Sequence, residues 1–431
     1  MYISLGDRES SVAAKSAGGS KALVRVSSTV VTLGIVSMLT DASSESVAAV
    51  LPLYITSAMG LSTIAYGFID GLYQGVSAIV RIGGGWASDR ADRPKWVAFF
   101  GYAFSAAAKT WLLFASGFGS IIAVVTLDRL GKGIRTAPRD ALITRDSDPS
   151  NLGRSFGVHR MLDTIGAAVG PLLAFLVLYF VPSGYTIVFV ISLAFAAMGV
   201  VILGLLVPGH PVRRNADGGE DPNAKADGAP RRQFRWKNLT DPRLRRLMIV
   251  AGILGLLTIG DGFIYLSLQA RSNFAGEWFP LLYVGTNVAF FIFAIPLGRL
   301  ADRIGRGRVF VLGHVALLAA YACTVIPAGG GAVTIACLLL LGAFYAATDG
   351  VLAALAGQFS PKGNTASGIA AAQTVVAVTR LIASTGFGAL WFTIGRGESI
   401  ILVFSALSVA IPVTAILLRP LHARREREVS K

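Results

Sequence analysis

The chain has 431 residues, 54% of them hydrophobic and only 15% charged, and its mean hydropathy is +0.63. Soluble globular chains normally carry about 25% charged residues, so this balance excludes an ordinary soluble protein and points to a membrane. The net charge of +15 would suit nucleic acid, but the sequence holds no nucleic-acid recognition module and its basic residues are placed for a different purpose.

Residues 1–27 are polar, Ser-rich and basic, without a cleavable signal pattern, and read as a disordered tail. Twelve apolar runs follow, near 29–58, 64–84, 97–115, 120–138, 157–180, 185–207, 247–269, 278–297, 309–326, 332–357, 367–393 and 399–418. A membrane-spanning helix needs about 20 such residues. The runs are too long for strands and do not alternate as a membrane barrel would. Residues 208–246, rich in Lys, Arg, Gly, Pro and Asp, cannot bury a core and read as a linker. It separates a six-span unit, 28–207, from a second, 247–418, and residues 419–431 form a basic tail. Most of the 39 Lys and Arg fall in the tails and in loops on one side, whereas the opposite loops hold only Arg271 and Arg396. This positive-inside bias predicts a multi-pass protein of the bacterial cytoplasmic membrane with both termini in the cytoplasm. Its basic loops can lie against anionic lipid. Cys323 and Cys337 fall inside spans and read as small core residues rather than a disulfide or metal site.

A short charged signature occurs twice, about half the chain apart. Gly85-Trp86-Ala87-Ser88-Asp89-Arg90-Ala91-Asp92-Arg93 and Gly298-Arg299-Leu300-Ala301-Asp302-Arg303-Ile304-Gly305-Arg306 both read G-x-x-x-D-R-x-x-R. Such duplication is the usual build of secondary transporters. The paired signature resembles the loop motif between spans 2–3 and 8–9 of the major facilitator superfamily, G-x-L-A-D-R-x-G-R-[KR]. The second copy is nearly perfect, whereas the first has Asp92 for Gly and Pro94 for a basic residue. The resemblance implies an all-α integral membrane fold, with twelve transmembrane helices in two pseudo-symmetric six-helix bundles. It also implies a cytoplasmic gate in which Asp89, Arg90, Arg93, Asp302, Arg303 and Arg306 clamp neighbouring helix ends in one conformational state. The plainer reading of those arginines is a topology anchor.

Span 5 adds Gly157, Gly166, Gly170 and Pro171 in the order G-x8-G-x3-G-P, similar to a signature that the superfamily associates with proton-driven exporters. The physical content is close helix packing at the glycines and a bend at the proline. Ala174 and Phe175 depart from the Gly-Gly that continues the family pattern.

Ionisable groups inside a membrane are costly and therefore candidates for function. Asp41 and Glu45 in span 1 are four residues apart and share a helix face. Two carboxylates held together in low dielectric cannot both be charged cheaply, which makes them a candidate proton site. A divalent cation held between them, or neutralisation by neighbouring arginines, are the alternatives. In span 4, Asp128, Lys132, Arg135 and Arg139 follow one stripe that cannot face lipid, and Asp128 and Arg129 lie near the midplane. Arg129 with Gly133 resembles the family's R-x-x-x-G, whose Arg is tied to proton transfer. His159 reads as a proton relay or a polar cap, Asp163 as a partner for an Arg of span 4, and Lys109 as a snorkelling end. Asp70, Arg81 and His314 read as inter-helix pairs. Asp261 in span 7, the repeat partner of span 1, answers Asp41. Asp349 and Arg380 lie in spans 10 and 11. The family's translocation path is lined by spans 1, 4, 7 and 10, which carry most of these charges. Tyr66, Tyr73, Tyr265, Tyr283 and Tyr345 are candidate solute contacts.

No nucleotide-cradling loop and no nucleophile elbow occur, so neither ATP-driven pumping nor an enzyme is expected. The expectation is a secondary transporter, exporting a small solute by proton-coupled antiport and functional as a monomer. Its driving force is the proton gradient, with no cofactor and no resident metal. A divalent-cation exporter, an uptake symporter and, remotely, a non-transporting sensor or assembly factor are the rivals.

Overall fold

The computed structural model describes residues 26–90, 94–148, 151–209, 241–326, 330–360 and 365–418, without the side chains of 78–79, 81–90 and 365–367. Among the described residues there are helices and no strands. The first half comprises α1 (Ser28–Leu53), α2 (Thr63–Arg90), α3 (Pro94–Leu112), α4 (Gly117–Arg145), α5 (Leu152–Phe180) and α6 (Tyr185–Leu206). The second comprises α7 (Pro242–Leu256), α8 (Asp261–Ser272), α9 (Pro280–Ile304), α10 (Arg306–Val325), α11 (Gly331–Phe359), α12 (Thr365–Ile394) and α13 (Arg396–Leu418). Together α7 and α8 fill one span, so the thirteen α-helices of the described residues make twelve long helical segments. Eight segments of the described residues, from α5 onward, are long and apolar enough to cross a membrane by composition alone. The earlier helices are more polar, and α1, α3 and α4 bury the charges described below.

Local signals set the ends. Ser27 caps α1 by accepting from the Thr29 N–H at 3.3 Å. Asp241 caps α7 with Pro242 in its first turn, accepting from the Arg243 N–H at 2.7 Å. This start lies inside the stretch assigned to the linker. The turn between α9 and α10 is made by Gly305, whose φ of 103° favours glycine. That glycine belongs to the second charged signature. Its counterpart in the first copy, Asp92, lies outside the described residues.

Span 7 corrects the sequence reading, which ran it unbroken from 247 to 269. The helix stops at Leu256 and restarts at Asp261. The Tyr321 hydroxyl of α10 holds the gap, donating to the Leu257 carbonyl at 3.0 Å and accepting from the Ile259 N–H at 2.8 Å. Broken helices are tolerated at membrane depth only where protein groups replace the lost backbone bonds, and Tyr321 does so here. Its repeat partner α1 runs on from Ser28 to Leu53 without a gap.

Within the first half, α1 packs on α5 and α6, and α3 and α2 pack on α4. The α1–α5 approach is close because Gly166 and Gly170 offer no side chain. A Cβ on Gly170 would lie 2.6 Å from the Ala42 carbonyl oxygen and 2.8 Å from the Ser46 nitrogen, and one on Gly166 would collide with the Met38 backbone. Gly157, in contrast, faces open space, and α5 continues as helix through Pro171. The two halves join along α2–α12 and α5–α9. Among the described residues, the side-chain contacts between halves cluster on the side away from the start of α1 and the end of α13. They include Thr63 to Gly388, Tyr66 stacked edge-on against Phe263, and Phe175 against Trp278.

Candidate functional site

The charges of the first half form two linked clusters. In one, Asp128 of α4 is held by Lys109 of α3 at 2.7 Å and by the adjacent Arg129 at 2.5 Å. Lys109 also reaches the Ser44 hydroxyl of α1 at 3.2 Å. This overturns the snorkelling assignment, because Lys109 is only 3% exposed and turns inward. Lys109 can do so because α3 and α4 touch backbone to backbone at Gly101 and Gly131. The Arg129 guanidinium lies over the Tyr73 ring at 3.7 Å, a cation–π contact worth most in such a dry setting. Tyr73 therefore buttresses Arg129, and its buried hydroxyl has no hydrogen-bond partner among the described residues.

In the second cluster, Asp41 of α1 faces Lys132 at 3.7 Å and Arg135 at 3.8 Å, both from α4. Arg135 is also fixed by the Ser105 hydroxyl at 2.8 Å and by the Tyr102 ring at 4.6 Å. One turn further along α4, Arg139 bonds Ser37 of α1 at 3.2 Å and lies 3.8 Å from Asp163 of α5. The stripe Asp128, Lys132, Arg135 and Arg139 thus faces the bundle interior, and Asp163 meets an Arg of α4.

Asp41 also has a carboxylate neighbour on another helix, Asp163 of α5, which shares the Arg139 cation with it, while Glu45, one turn along α1, stays within reach of its charge. Glu45 has no ion pair or hydrogen bond among the described residues, and Lys132 and Arg129 are the cations whose charge reaches it. His159 lies one turn before Asp163 on α5. It is 3% exposed, and neither ring nitrogen has a hydrogen-bond partner among the described residues.

The second half contributes a smaller set. Asp261 opens the half-helix α8 and accepts from the Tyr345 hydroxyl of α11 at 2.7 Å. Asp349 of α11 lies 3.9 Å from Arg380 of α12, and the Arg380 guanidinium sits 5.7 Å from the Tyr345 ring. Asp70 of α2 accepts from the Ser384 hydroxyl of α12 at 2.6 Å, so it pairs across the two halves. Tyr265 bonds Thr286 at 2.7 Å and packs edge-on against Tyr283. His314 is buried and bonds the Phe310 carbonyl. Both cysteines are free.

At the gate, Asp302 pairs with Arg306 at 3.3 Å, one turn along the chain, with both side chains largely exposed. The side chains of Asp89 and Arg90, which end α2, and the whole of Arg93 and Arg81's side chain lie outside the described residues. Among the described residues, no three His, Cys, Asp or Glu side chains converge to hold a metal ion.

Sequence reasoning found the charged helices but missed groups that hold them: Ser105, Tyr102 and Tyr321. No local signal marks these. Each is an ordinary polar residue whose role depends on which helix lies opposite.

Residues 33–384 and 265–430 match a family model described as Major Facilitator Superfamily. An uncharacterized MFS-type transporter of Methanocaldococcus jannaschii is 30% identical over 374 residues, covering 85% of this chain and 89% of that protein. An uncharacterized protein of Mycobacterium bovis is 27% identical over 165 residues, covering 36% of this chain and 40% of that protein. Among solved structures, a mutant of the nucleoside transporter NupG superposes with a TM-score of 0.75 at 15% identity, covering 90% of this chain and 99% of that one. A bacterial homolog of the human lysosomal transporter Spinster, inward-facing and unoccupied, gives 0.71 at 13% identity, covering 91% and 96%. At such identities the superpositions speak for the fold alone.

Proposed function

The chain belongs to the major facilitator superfamily of membrane transporters, and we propose that it is a proton-coupled antiporter that exports a small solute by alternating access. The observation that carries this reading is that the Asp41 and Asp163 carboxyls lie together against the α4 cations Lys132, Arg135 and Arg139. Two neighbouring carboxylates repel, and a proton on either one relieves that repulsion. The same Asp41 faces Lys132 and Arg135 at distances too long for tight hydrogen bonds. Losing the proton tightens those ion pairs and draws α1 toward α4; gaining it loosens them. A proton thereby biases the position of the helix that lies at the centre of the first half.

Glu45, one turn further along α1 and without an ion pair, is the open position of this cluster. It offers a negative charge to a solute, beside the cationic Lys132 and Arg129. Solute and proton acting on one charge network compete, which is the requirement for exchange. The span 5 glycines add support: Gly166 and Gly170 bring α5 close enough to α1 for Asp163 to reach Asp41. With the termini in the cytoplasm, as the basic loops imply, the seam between the halves on the other side is the outer one, and the inner side is the entry for solute. Metal export draws no support from the described residues, where no third ligand joins the carboxylates.

The test is flux in proteoliposomes. Vesicles carrying an internal pH dye are loaded with nucleosides, amino acids, organic cations or organic anions, and an inward proton gradient is imposed. Solute efflux accompanied by proton entry, both abolished by Asp41→Asn, is the expected result. Gradient-driven uptake, or flux without proton movement, would overturn the antiport reading.

A further inference from the structure

On the outer side, α2 and α12 are zipped backbone to backbone. A Cβ on Gly71 would lie 2.8 Å from the Leu381 carbonyl oxygen, one on Gly75 2.9 Å from the Leu381 side chain, and Gly67 and Gly388 abut each other. Small residues at four-residue spacing are the usual means of such close approach in a membrane. Only two side-chain hydrogen bonds cross this seam among the described residues. One is Thr63 to the Gly388 carbonyl at 3.1 Å; the other is Ser384 to Asp70 at 2.6 Å.

Asp70 is an odd residue to find in a zipped apolar seam. Its carboxyl rests against Gly260, so closely that any side chain there would collide with Oδ2. Gly260 is the residue before Asp261, at the start of the half-helix α8. Closure therefore sets a carboxylate of the first half beside a carboxylate of the second. Other charged or titratable groups that face Asp70 are Arg380 of α12, Tyr66 of its own helix and Tyr283 of α9. Arg380, the only cation among these, is shared with Asp349, from which it lies 3.9 Å, and with the Tyr345 ring. It does not neutralise three carboxylates.

We propose that Asp70 and Asp261 form a proton-operated outer latch: the α2–α12 seam closes when one of the two carboxyls is protonated and is pushed open when both are charged. Like charges brought together away from water repel strongly. When the seam parts, Asp70 leaves Ser384 and meets the outer solution, where it takes up a proton. With the proton in place, the Ser384 hydroxyl and the Tyr345 hydroxyl satisfy the two carboxyls and the glycines can pack. The broken span 7 serves this purpose. Because the helix restarts at Asp261 and Tyr321 carries the lost backbone bonds, the start of α8 stands clear to receive Asp70. The latch rests on the proposed proton coupling and gives it a second element, remote from Asp41 and Asp163. It accounts for the return step, in which the proton-bound carrier closes its outer side.

The test is the distance across the seam. Ile64 on α2 and Phe392 on α12 are exposed near the outer ends of their helices. Ile64→Cys and Phe392→Cys, in a Cys323→Ala, Cys337→Ala background, carry spin labels for pulsed dipolar spectroscopy in lipid nanodiscs at pH 5 to 8. The closed-to-open ratio should fall as pH rises, by up to about tenfold per pH unit for a single proton. Asp70→Asn and Asp261→Asn should each remain closed across the range, whereas Ser384→Ala, which removes a hydrogen bond but no charge, should keep the pH response. An unchanged pH response in both Asn variants, or a pH-independent seam in the unsubstituted protein, would overturn the latch. Vesicle flux distinguishes the two failures. A pH-independent seam in a protein that still exchanges solute for protons removes only the latch, whereas loss of proton exchange removes the reading beneath it.

Discussion

The Lys109 ammonium lies 2.7 Å from the Asp128 carboxylate, and the two residues are 3% and 9% exposed. Burying an ion pair is costly, but removing one partner is costlier still, because the other is left charged and dry. Lys109→Met should therefore destabilise the protein by about 3 kcal/mol. Lys109→Met combined with Asp128→Asn should cost less than the sum of the single changes, since Lys109 and Asp128 then no longer strand each other, and what remains is the loss of Arg129's carboxylate partner. Thermal unfolding of the single and double variants in detergent measures this coupling. Purely additive losses would mean that the pair is not energetically linked.

Arg129 is bound by shape as well as charge, with a planar fork on Asp128 and a flat contact 3.7 Å above the Tyr73 ring. Lysine keeps the charge and loses both. Arg129→Lys should thus impair transport nearly as much as Arg129→Gln, and Tyr73→Leu should weaken it through the same group. Transport rates in whole vesicles, normalised to protein inserted, compare the three.

The α1–α5 contact predicts a sharp contrast within one motif. Gly170→Leu forces atoms into the Ala42 carbonyl and the Ser46 nitrogen and should cost at least about 1–3 kcal/mol of overpacking. Gly157→Ala meets open space and should be neutral or stabilising by up to about 1 kcal/mol, because alanine favours helix. Melting temperatures of the two variants decide whether this signature is a packing stripe throughout or only at Gly166 and Gly170.

Much of the fold was legible because apolar length and basic-loop asymmetry are one-dimensional properties. The α4 stripe was legible for a similar reason: Asp128, Lys132, Arg135 and Arg139 repeat at helical spacing, and four such charges must turn away from lipid. What escaped were relations between helices. The i, i+4 spacing of Asp41 and Glu45 showed two carboxylates along α1, but not that Gly166 and Gly170 let α5 approach closely enough to bring Asp163 to the same group of cations. Lys109 looked like a chain end near the membrane surface, and only the rotation of α3 against α4 turns it onto Asp128. The gap in span 7 has no proline to announce it. Leu257-Thr258-Ile259-Gly260 is an ordinary apolar stretch, and the helix is interrupted where a tyrosine from α10 supplies the bonds.

That tyrosine carries its own prediction. Tyr321→Phe leaves the Ile259 N–H and the Leu257 carbonyl without their partner. An unsatisfied buried backbone group costs about 1–3 kcal/mol, so the variant should lose stability or rewind the helix through the gap. Rewinding would turn Asp261 away from Tyr345, to which it bonds at 2.7 Å. Hydrogen exchange across residues 255–263 separates the outcomes: faster exchange marks a loosened break, and slower exchange marks a continuous helix.

The Asp41–Asp163 pair yields the test most specific to mechanism. Asn in place of Asp41 resembles a carboxyl that keeps its proton, uncharged and still able to donate a hydrogen bond. The variant should hold the loosened arrangement, in which Lys132 and Arg135 have lost their ion-pair partner. A carrier fixed in that form cannot release a proton and cannot use the gradient. It should still swap one solute molecule for another, because that exchange needs no net proton movement. Asp41→Asn and Asp163→Asn should therefore abolish gradient-driven efflux while leaving solute counterflow within about threefold of the unsubstituted protein, since the pair is not asked to bind solute. Glu45→Gln should do the opposite and lower counterflow as well as efflux, because Glu45 is the open charge offered to the solute. Loss of counterflow in all three variants would place the Asp41–Asp163 pair in solute binding instead of proton coupling.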